Sequence, residues 1–292
     1  MFSSTTLAAS RKEGHIVTLN ERDESHAESA DRKVSAVVGF IRKTLIIAQM
    51  EILRLRHDPT ELFSRAVQPA LWLLIFGEVF ARTKAVPTQG LPYLDFIAPG
   101  ILAQSVLFIA IFYGIAVIWE RDLGIVHKLL VSPAPRTSLV LGKALSAGIR
   151  GLSQAVVIYL LAMLLGVRLN WNFTALLGVV VIVILGASLF STFSLVIASV
   201  VRTRERFMGI GQILTMPLFF ASNAIYPVSL MPAWLRAISH CNPLTYEVDA
   251  LRTLMVTGAT SVYGLSIDLA ILGGITAVLV TIGGWLYPNL AR

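Results

Sequence analysis

Long apolar stretches alternate with short polar segments over most of this chain. Six stretches can be delimited, and they lie at residues 66–81, 96–119, 144–167, 173–201, 207–221 and 266–287. A helix needs about 20 mainly apolar residues to cross the hydrocarbon core of a bilayer. The pattern therefore predicts an all-α polytopic membrane protein with six transmembrane helices.

The fifth stretch is shorter than a normal crossing and is interrupted by Pro217. Polar residues and further prolines follow it up to Asn242 and Pro243, which form an N-cap and first-turn pair. Backbone breaks at membrane depth are tolerated only inside protein or beside water. We therefore expect a helix that nearly crosses, then re-entrant helices in the outer leaflet before the last span.

The region before the first span divides into two parts. Residues 1–33 are rich in Ser, Glu, Asp, Arg and Lys, which predicts a disordered cytoplasmic tail. Residues 34–57 carry apolar positions at helical spacing interrupted by basic ones, which is typical of an interfacial amphipathic helix. A helix packed on a soluble partner is the alternative. Residues 58–292 then form the six-span transmembrane domain.

Basic residues are distributed asymmetrically around the proposed spans. With a cytoplasmic N-terminus and six crossings, nineteen of the 24 Lys and Arg residues lie inside and five lie outside, namely Arg82, Lys84, Arg168, Arg236 and Arg252. Cytoplasmic loops are enriched in Lys and Arg. The asymmetry predicts a multi-pass protein of the bacterial cytoplasmic (inner) membrane, in contact with its lipids, with both termini cytoplasmic.

Composition supports the membrane class and excludes others. Charged residues make up 14% of the chain and hydrophobic residues 55%, whereas soluble domains carry about 25% charge. The basic residues form no stripe with interleaved aromatics, so nucleic acid is not an expected partner.

Several chemistries lack their motifs. Gly142-Lys143 is followed by Ala144 and has no upstream P-loop glycine, so the chain cannot hold ATP phosphates in that way. Histidines are scattered and cysteine occurs once, which gives neither a metal site nor a catalytic site. We expect no enzyme activity. Energy for any transport must then come from another subunit or from an ion gradient, and the scarcity of charge within the spans disfavours the latter.

The segment between the second and third spans is the candidate energy input. Glu120 and Arg121 begin it with paired charges, and Ile125, Leu129 and Leu130 form one apolar face of a short helix. Such a helix can dock in a groove of a partner. Residues 121–135 are therefore a candidate docking element for a partner protein that supplies energy; an ordinary inner connector is the alternative.

The helix that starts at Asn242 and Pro243 is the candidate external gate. Its charged residues Glu247, Asp249 and Arg252 would be unstable in lipid, so we expect them to pair or to face water. Asp249 and Arg252 are three residues apart and can meet on one face. The alternative is that these charges only anchor the helix at the headgroups.

Two groups of residues resemble motifs of type-2 ABC exporter permeases. The first comprises residues 220–227, 231–235 and 242–252, and the second comprises Glu120-Arg121, Ile125, Leu129-Leu130-Val131, Pro133 and Gly142-Lys143. The resemblance covers about residues 40–290, and the tail before it is longer than the family needs. It implies a half-transporter that pairs with a second permease half, in a homodimer or a heterodimer. It also implies separate ATPase subunits that bind the inner loops of this chain. Those subunits would bind ATP and Mg, and this chain would bind no cofactor.

The resemblance implies a cargo class more loosely than it implies the architecture. The residues of the C-terminal motif are similar to those of drug and nodulation-factor exporters, and the side chains of the spans are mostly apolar. We therefore expect an amphipathic or apolar cargo: a drug, antibiotic, lipid or lipo-oligosaccharide. A polysaccharide-exporting ABC permease and an ion-coupled secondary transporter are the alternatives. A membrane-bound enzyme or scaffold would show polar residues clustered at one depth, which the sequence does not reveal.

Overall fold

The computed structural model describes residues 39, 67–83, 86–88, 90–124, 126, 136–201 and 203–288. The predicted tail 1–33 lies outside these residues, as does the predicted interfacial helix 34–57 apart from Gly39. Eight helices follow in the described part, which we number in chain order: α1, a π-helical turn Trp72–Gly77 that continues as Glu78–Thr83; α2, Tyr93–Asp122; α3, Arg136–Leu164; α4, Phe173–Val200; α5, Arg204–Phe220; α6, Ala233–Cys241; α7, Pro243–Met255; and α8, Leu265–Leu286.

Four of the described helices are long and apolar enough to cross a membrane. They are Tyr93–Asp122, Leu139–Leu164, Phe173–Val200 and Leu265–Leu286, and they correspond to the second, third, fourth and last predicted spans. Helix α5 has 17 residues, and the description of α1 begins only at residue 67. The mostly helical membrane class is confirmed, while the count of six spans stays a prediction.

The third span begins earlier than the sequence predicted. Residues 136–143 were expected in a loop but form the first turns of α3. The reason is packing against α8: Val140 is buried beside Gly283, and Thr137 lies against Gly284. Because these glycines lack side chains, the two helices approach closely enough for α3 to bury this extra segment.

Helix α4 is the centre of the bundle. It packs against α2, α3, α7 and α8 and is apolar around most of its circumference, as expected of a helix enclosed by others. Small residues allow close approach. Gly114 N on α2 donates to Ser194 Oγ on α4 over 3.1 Å, and that hydroxyl donates to the Ile111 carbonyl.

The loops at one end of the bundle are joined by polar contacts. The Arg168 Nε donates to the buried Asp95 carboxylate over 2.7 Å, and Leu169 pairs with Val256 in an isolated antiparallel bridge. The α3–α4 loop is thereby fixed to the start of α2 and to the end of α7. We call this the Asp95 end of the bundle. The turn Val228–Leu230 and the short helix α6 follow α5 in the sequence.

Candidate functional site

Charged side chains cluster where α2 ends and where α3 and α5 begin, at the end of the bundle away from Asp95. Glu120 forms an ion pair with Lys143 on α3. The Asp122 carboxylate lies between two guanidinium groups, 2.7 Å from Arg204 Nη2 and 3.3 Å from Arg121 Nη2. We call this set the basic end. Its ion pairs tie α2 to both neighbouring helices.

Two further contacts strengthen the basic end. The Arg204 guanidinium lies 3.6 Å from the centroid of the Trp119 ring, a cation–π geometry. Arg121 Nη1 donates to the Val201 carbonyl just after α4, over 3.4 Å. Asp122, Trp119 and the end of α4 are thus connected through two arginines, so a displacement of the segment that follows Asp122 would be transmitted to three helices.

The structure describes only part of the predicted coupling element. Glu120 and Arg121 form the last turn of α2, whereas Ile125, Leu129 and Leu130 lie outside the described residues. The charges at 120 and 121 are paired as predicted, although their partners come from α3 and from neighbouring Asp122. Val126 is buried in an apolar cluster with Ile118 and Phe207, so this residue packs near the basic end.

Helix α7 begins with the cap that the sequence predicted. The Asn242 Oδ1 accepts from Leu244 N over 3.0 Å, its Nδ2 donates to the Leu218 carbonyl over 2.7 Å, and Pro243 occupies the first turn. Leu254 lies against Gly178, and Glu247 lies against Gly186. These two glycines are about 8 and 20 Å from the start of α4 at 1.5 Å per residue. Helix α7 therefore reaches about two thirds of the way along α4.

Glu247 departs from the prediction that it would pair or face water. Its side chain is fully buried, and neither carboxyl oxygen has a hydrogen-bond partner among the described residues. The carboxyl fits because Gly186 leaves a notch in α4, where a Cβ would lie only 2.2 Å from Oε1.

Asp249 and Arg252 do not form the predicted ion pair, although both lie in the described part of α7. Asp249 Oδ2 instead accepts from Ser261 Oγ at 2.6 Å and from the backbone of Val262 and Tyr263 at 2.8 and 3.1 Å. A carboxylate held by two backbone amides fixes the α7–α8 loop, and it is turned away from its neighbour on the helix.

Arg252 binds backbone rather than a carboxylate. Its Nη2 donates to the Asn223 carbonyl over 2.8 Å and its Nε to the Phe96 carbonyl over 3.2 Å, while the guanidinium lies 3.8 Å from the centroid of the Phe96 ring. Helix α7 is thereby attached to α2 and to the turn after α5. These partners could not be predicted from sequence, because every residue has a backbone carbonyl and residue type does not mark the one that accepts.

Comparison with known proteins places this arrangement in a family. The model of the ABC-2 type transporter family matches residues 42–256, which cover α1 to α7 and the basic end. The chain belongs to the ABC-2 type transporter family.

Relatives of this ABC-2 protein are named as permeases. The putative transport permease ycf38 of Cyanophora paradoxa is 30% identical over 76% of this chain and 78% of its own. The daunorubicin resistance ABC transporter permease protein DrrB1 of Streptomyces coeruleorubidus is 25% identical over 85% of this chain and 87% of its own. The probable multidrug ABC transporter permease YbhR of Escherichia coli is 28% identical over 58% and 46%. The chain is therefore the permease subunit of an ABC-2 type transporter, a multi-pass membrane component of a family that works with ABC ATPase subunits.

A small polar cavity of this ABC-2 permease lies between α7 and the Asp95 end. Its volume is about 130 Å³, and both Asp249 and Arg252 line it. Asn223 lines it too, with its side-chain amide buried and without a hydrogen-bond partner among the described residues. The two charged residues therefore face a common cavity without touching. The sequence does not single out Asn223, because its burial depends on contacts with α2 and α7.

Proposed function

We propose that this permease is one half of an ATP-driven exporter that moves an amphipathic or apolar cargo out of the cytoplasm of a bacterial cell. The observation that carries the proposal is the basic end, where ion pairs join α2, α3 and α5 at the segment that resembles an ATPase-binding loop. ATP and Mg would be bound by the partner ATPase, and this chain itself would carry out no catalysis.

Charge asymmetry supports a cytoplasmic position for the basic end. Lys143, Arg121 and Arg204 lie there together with Arg206, while Arg168 and Arg252 belong to the Asp95 end. Positive residues favour the inner side of the inner membrane. Both termini would then be cytoplasmic, and α6 and α7 would enter from the outer leaflet as re-entrant helices.

The names of relatives support the cargo class. DrrB1 is named for daunorubicin resistance and YbhR as a probable multidrug permease. A drug, antibiotic or lipid with a large apolar part would suit the spans of this chain, and a lipo-oligosaccharide remains within the class. Two copies, or this chain with a similar one, would assemble with two ATPase subunits.

Helix α7 is the proposed external gate. Asn242 and Pro243 begin it, Asp249 and Arg252 attach it to the α7–α8 loop and to α2, and Glu247 sits in the notch of α4. A helix held at three separate places resists partial displacement. The gate would therefore open as a unit when ATPase motion changes the packing around α4.

Purification from native membranes tests the proposal. The tagged full-length chain should co-purify with an ABC ATPase whose hydrolysis is retained. The double substitution Leu129→Ala–Leu130→Ala should weaken that association, because truncating a docking residue costs about 1–3 kcal/mol.

A matched pair serves as control. Leu160 and Leu164 are exposed leucines on α3 toward the Asp95 end, so Leu160→Ala–Leu164→Ala should leave ATPase association unchanged. Equal association for the two double variants would reject the coupling role of the 121–135 segment. Purified permease without any ABC ATPase, together with transport that depends on an ion gradient, would reject the proposed function.

A further inference from the structure

A larger cavity lies between α1, α2 and α3, away from both the basic end and the proposed gate. Its volume is about 340 Å³, within the range of about 300–1,000 Å³ that is typical of small-molecule sites. Gln68 from the helical turn before α1, Gln104 from α2 and Gln154 from α3 line it, together with Phe108 and Phe112. This cluster contradicts the expectation that the spans show no polar residues grouped at one depth.

Gln104 and Gln154 lie near the middle of the membrane. Gln104 is eleven residues after the start of α2 and Gln154 ten before the end of α3, about 17 and 15 Å from those ends at 1.5 Å per residue. The hydrocarbon core is about 30 Å thick. Uncharged amides at this depth normally bind across helices, because lipid offers no hydrogen bonds.

Gln104 has an unused donor at this depth. Its side chain is 3% exposed, it lines the cavity, and its Nε2 has no hydrogen-bond partner among the described residues. An unsatisfied buried donor is unfavourable, and native structures retain few of them without a reason. The neighbouring Ser105 hydroxyl already donates its proton to the Ile101 carbonyl, so Gln104 is the side chain with a free donor.

The lining defines what would bind. Among the residues that the structure describes, the lining carries amide, hydroxyl and apolar side chains and no charged one, which favours a neutral ligand. Phe108 and Phe112 have centroids 6.2 Å apart and supply an aromatic wall. The matching ligand is a neutral molecule with an apolar ring system and a carbonyl or hydroxyl oxygen that accepts from Gln104.

We propose that this cavity is a cargo-binding subsite for such neutral, carbonyl-bearing ring compounds. The inference rests on the proposed export function for its biological meaning, but binding itself needs neither ATP nor the ATPase. Gln104 donates to the carbonyl oxygen, and the two phenylalanines contact the ring.

Photolabelling of the full-length chain in nanodiscs tests the subsite. Benzophenone is a neutral diaryl ketone that forms covalent bonds to nearby C–H groups on irradiation, and peptide mass spectrometry locates the adducts. We expect saturable labelling concentrated on residues 104–112. Gln104→Met keeps the length of the side chain and removes its amide. It should raise the benzophenone concentration at half-saturation by about tenfold, which is the upper effect of losing one hydrogen bond.

A matched control exists on α5. Gln212 is an exposed glutamine outside the cavity, so Gln212→Met should leave the labelling of 104–112 unchanged. Phe108→Ala should also weaken labelling and provides a second test if Gln104→Met fails to fold. Non-saturable labelling spread over all lipid-facing helices, or equal labelling in Gln104→Met and Gln212→Met, would overturn the subsite. ATPase association measured on the same samples distinguishes that failure from a failure of the proposed function.

Discussion

Gly186→Ala should destabilise the protein because it fills the notch that holds Glu247. A Cβ at position 186 would lie 2.2 Å from Oε1 and 2.3 Å from Cδ of Glu247, whereas ordinary contacts are 3.4–4 Å. The carboxyl would have to move by about 1 Å, and it is fully buried. Overpacking of this kind costs about 1–3 kcal/mol.

A glycine-to-alanine substitution at an open position should instead stabilise the protein. Gly274 on α8 has open space where its Cβ would be, so Gly274→Ala should stabilise the helix by about 0.5–1 kcal/mol through backbone entropy. The two alanine variants should therefore differ in stability by about 1.5–4 kcal/mol. Unfolding of the detergent-solubilised chain by SDS, followed by tryptophan fluorescence, measures this difference.

A double-mutant cycle identifies the cause. Removing the carboxyl in Gly186→Ala–Glu247→Ala should recover most of the loss, with a coupling energy of about 1–3 kcal/mol. Glu247→Gln preserves the shape of the side chain and should change stability by less than about 1 kcal/mol. If Gly186→Ala matches Gly274→Ala, or if the cycle shows no coupling, Glu247 does not occupy the α4 notch.

Four further experiments test the remaining assignments. In a Cys241→Ser background, Thr260→Cys should react with an impermeant maleimide from outside and Ser25→Cys only after permeabilisation; the reverse pattern would invert the topology. Asp122→Asn should lower ATPase-coupled export more than stability, since its partly exposed ion pairs contribute only about 0.2–1 kcal/mol each, and unchanged export would remove the basic end from coupling. Arg252→Gln and Glu247→Gln should reduce export while ATP hydrolysis persists, and normal export in both would leave α7 as a mere anchor. Asp249→Ala should lower stability by about 1–3 kcal/mol through three lost hydrogen bonds, whereas Asp249→Asn, which keeps an acceptor, should lose less.

Sequence patterns predicted what depends on local composition. Apolar length located the helices α2, α4 and α8 to within a few residues, and residue type at Asn242 and Pro243 predicted the start of α7. These features arise within one segment, because hydrophobic transfer and capping act on neighbouring residues. The π-helical turn Trp72–Gly77 was missed, since no residue type marks it.

Contacts between helices could not be predicted in the same way. Glu120 pairs with Lys143 across 23 positions, and Asp95 with Arg168 across 73. A helix such as α4, apolar around most of its surface, gives no indication of which face meets α7, so the fit of Glu247 against Gly186 was hidden. Gln104 and Gln154 are visible in the sequence, but the predicted span bounds put them about 12 and 20 Å from the same side of the membrane, so their shared depth follows only from the observed helix bounds.

The three charged residues of α7 constrain how a gate built on it can move. Asp249 holds the α7–α8 loop, Arg252 holds α2 and the turn at Asn223, and Glu247 occupies a notch in α4. Movement of α7 alone would break all three sets of contacts and expose two buried charges to an apolar surrounding. Movement of α7 together with the 256–263 loop would preserve the Asp249 contacts and break only those at α2 and α4. Glu247 should be the first of the three to be released, because its carboxyl has no hydrogen bond to lose among the described residues. The α4 notch is therefore where opening should begin, and Arg252, with its two carbonyl acceptors and its aromatic contact, is where closure should be fixed.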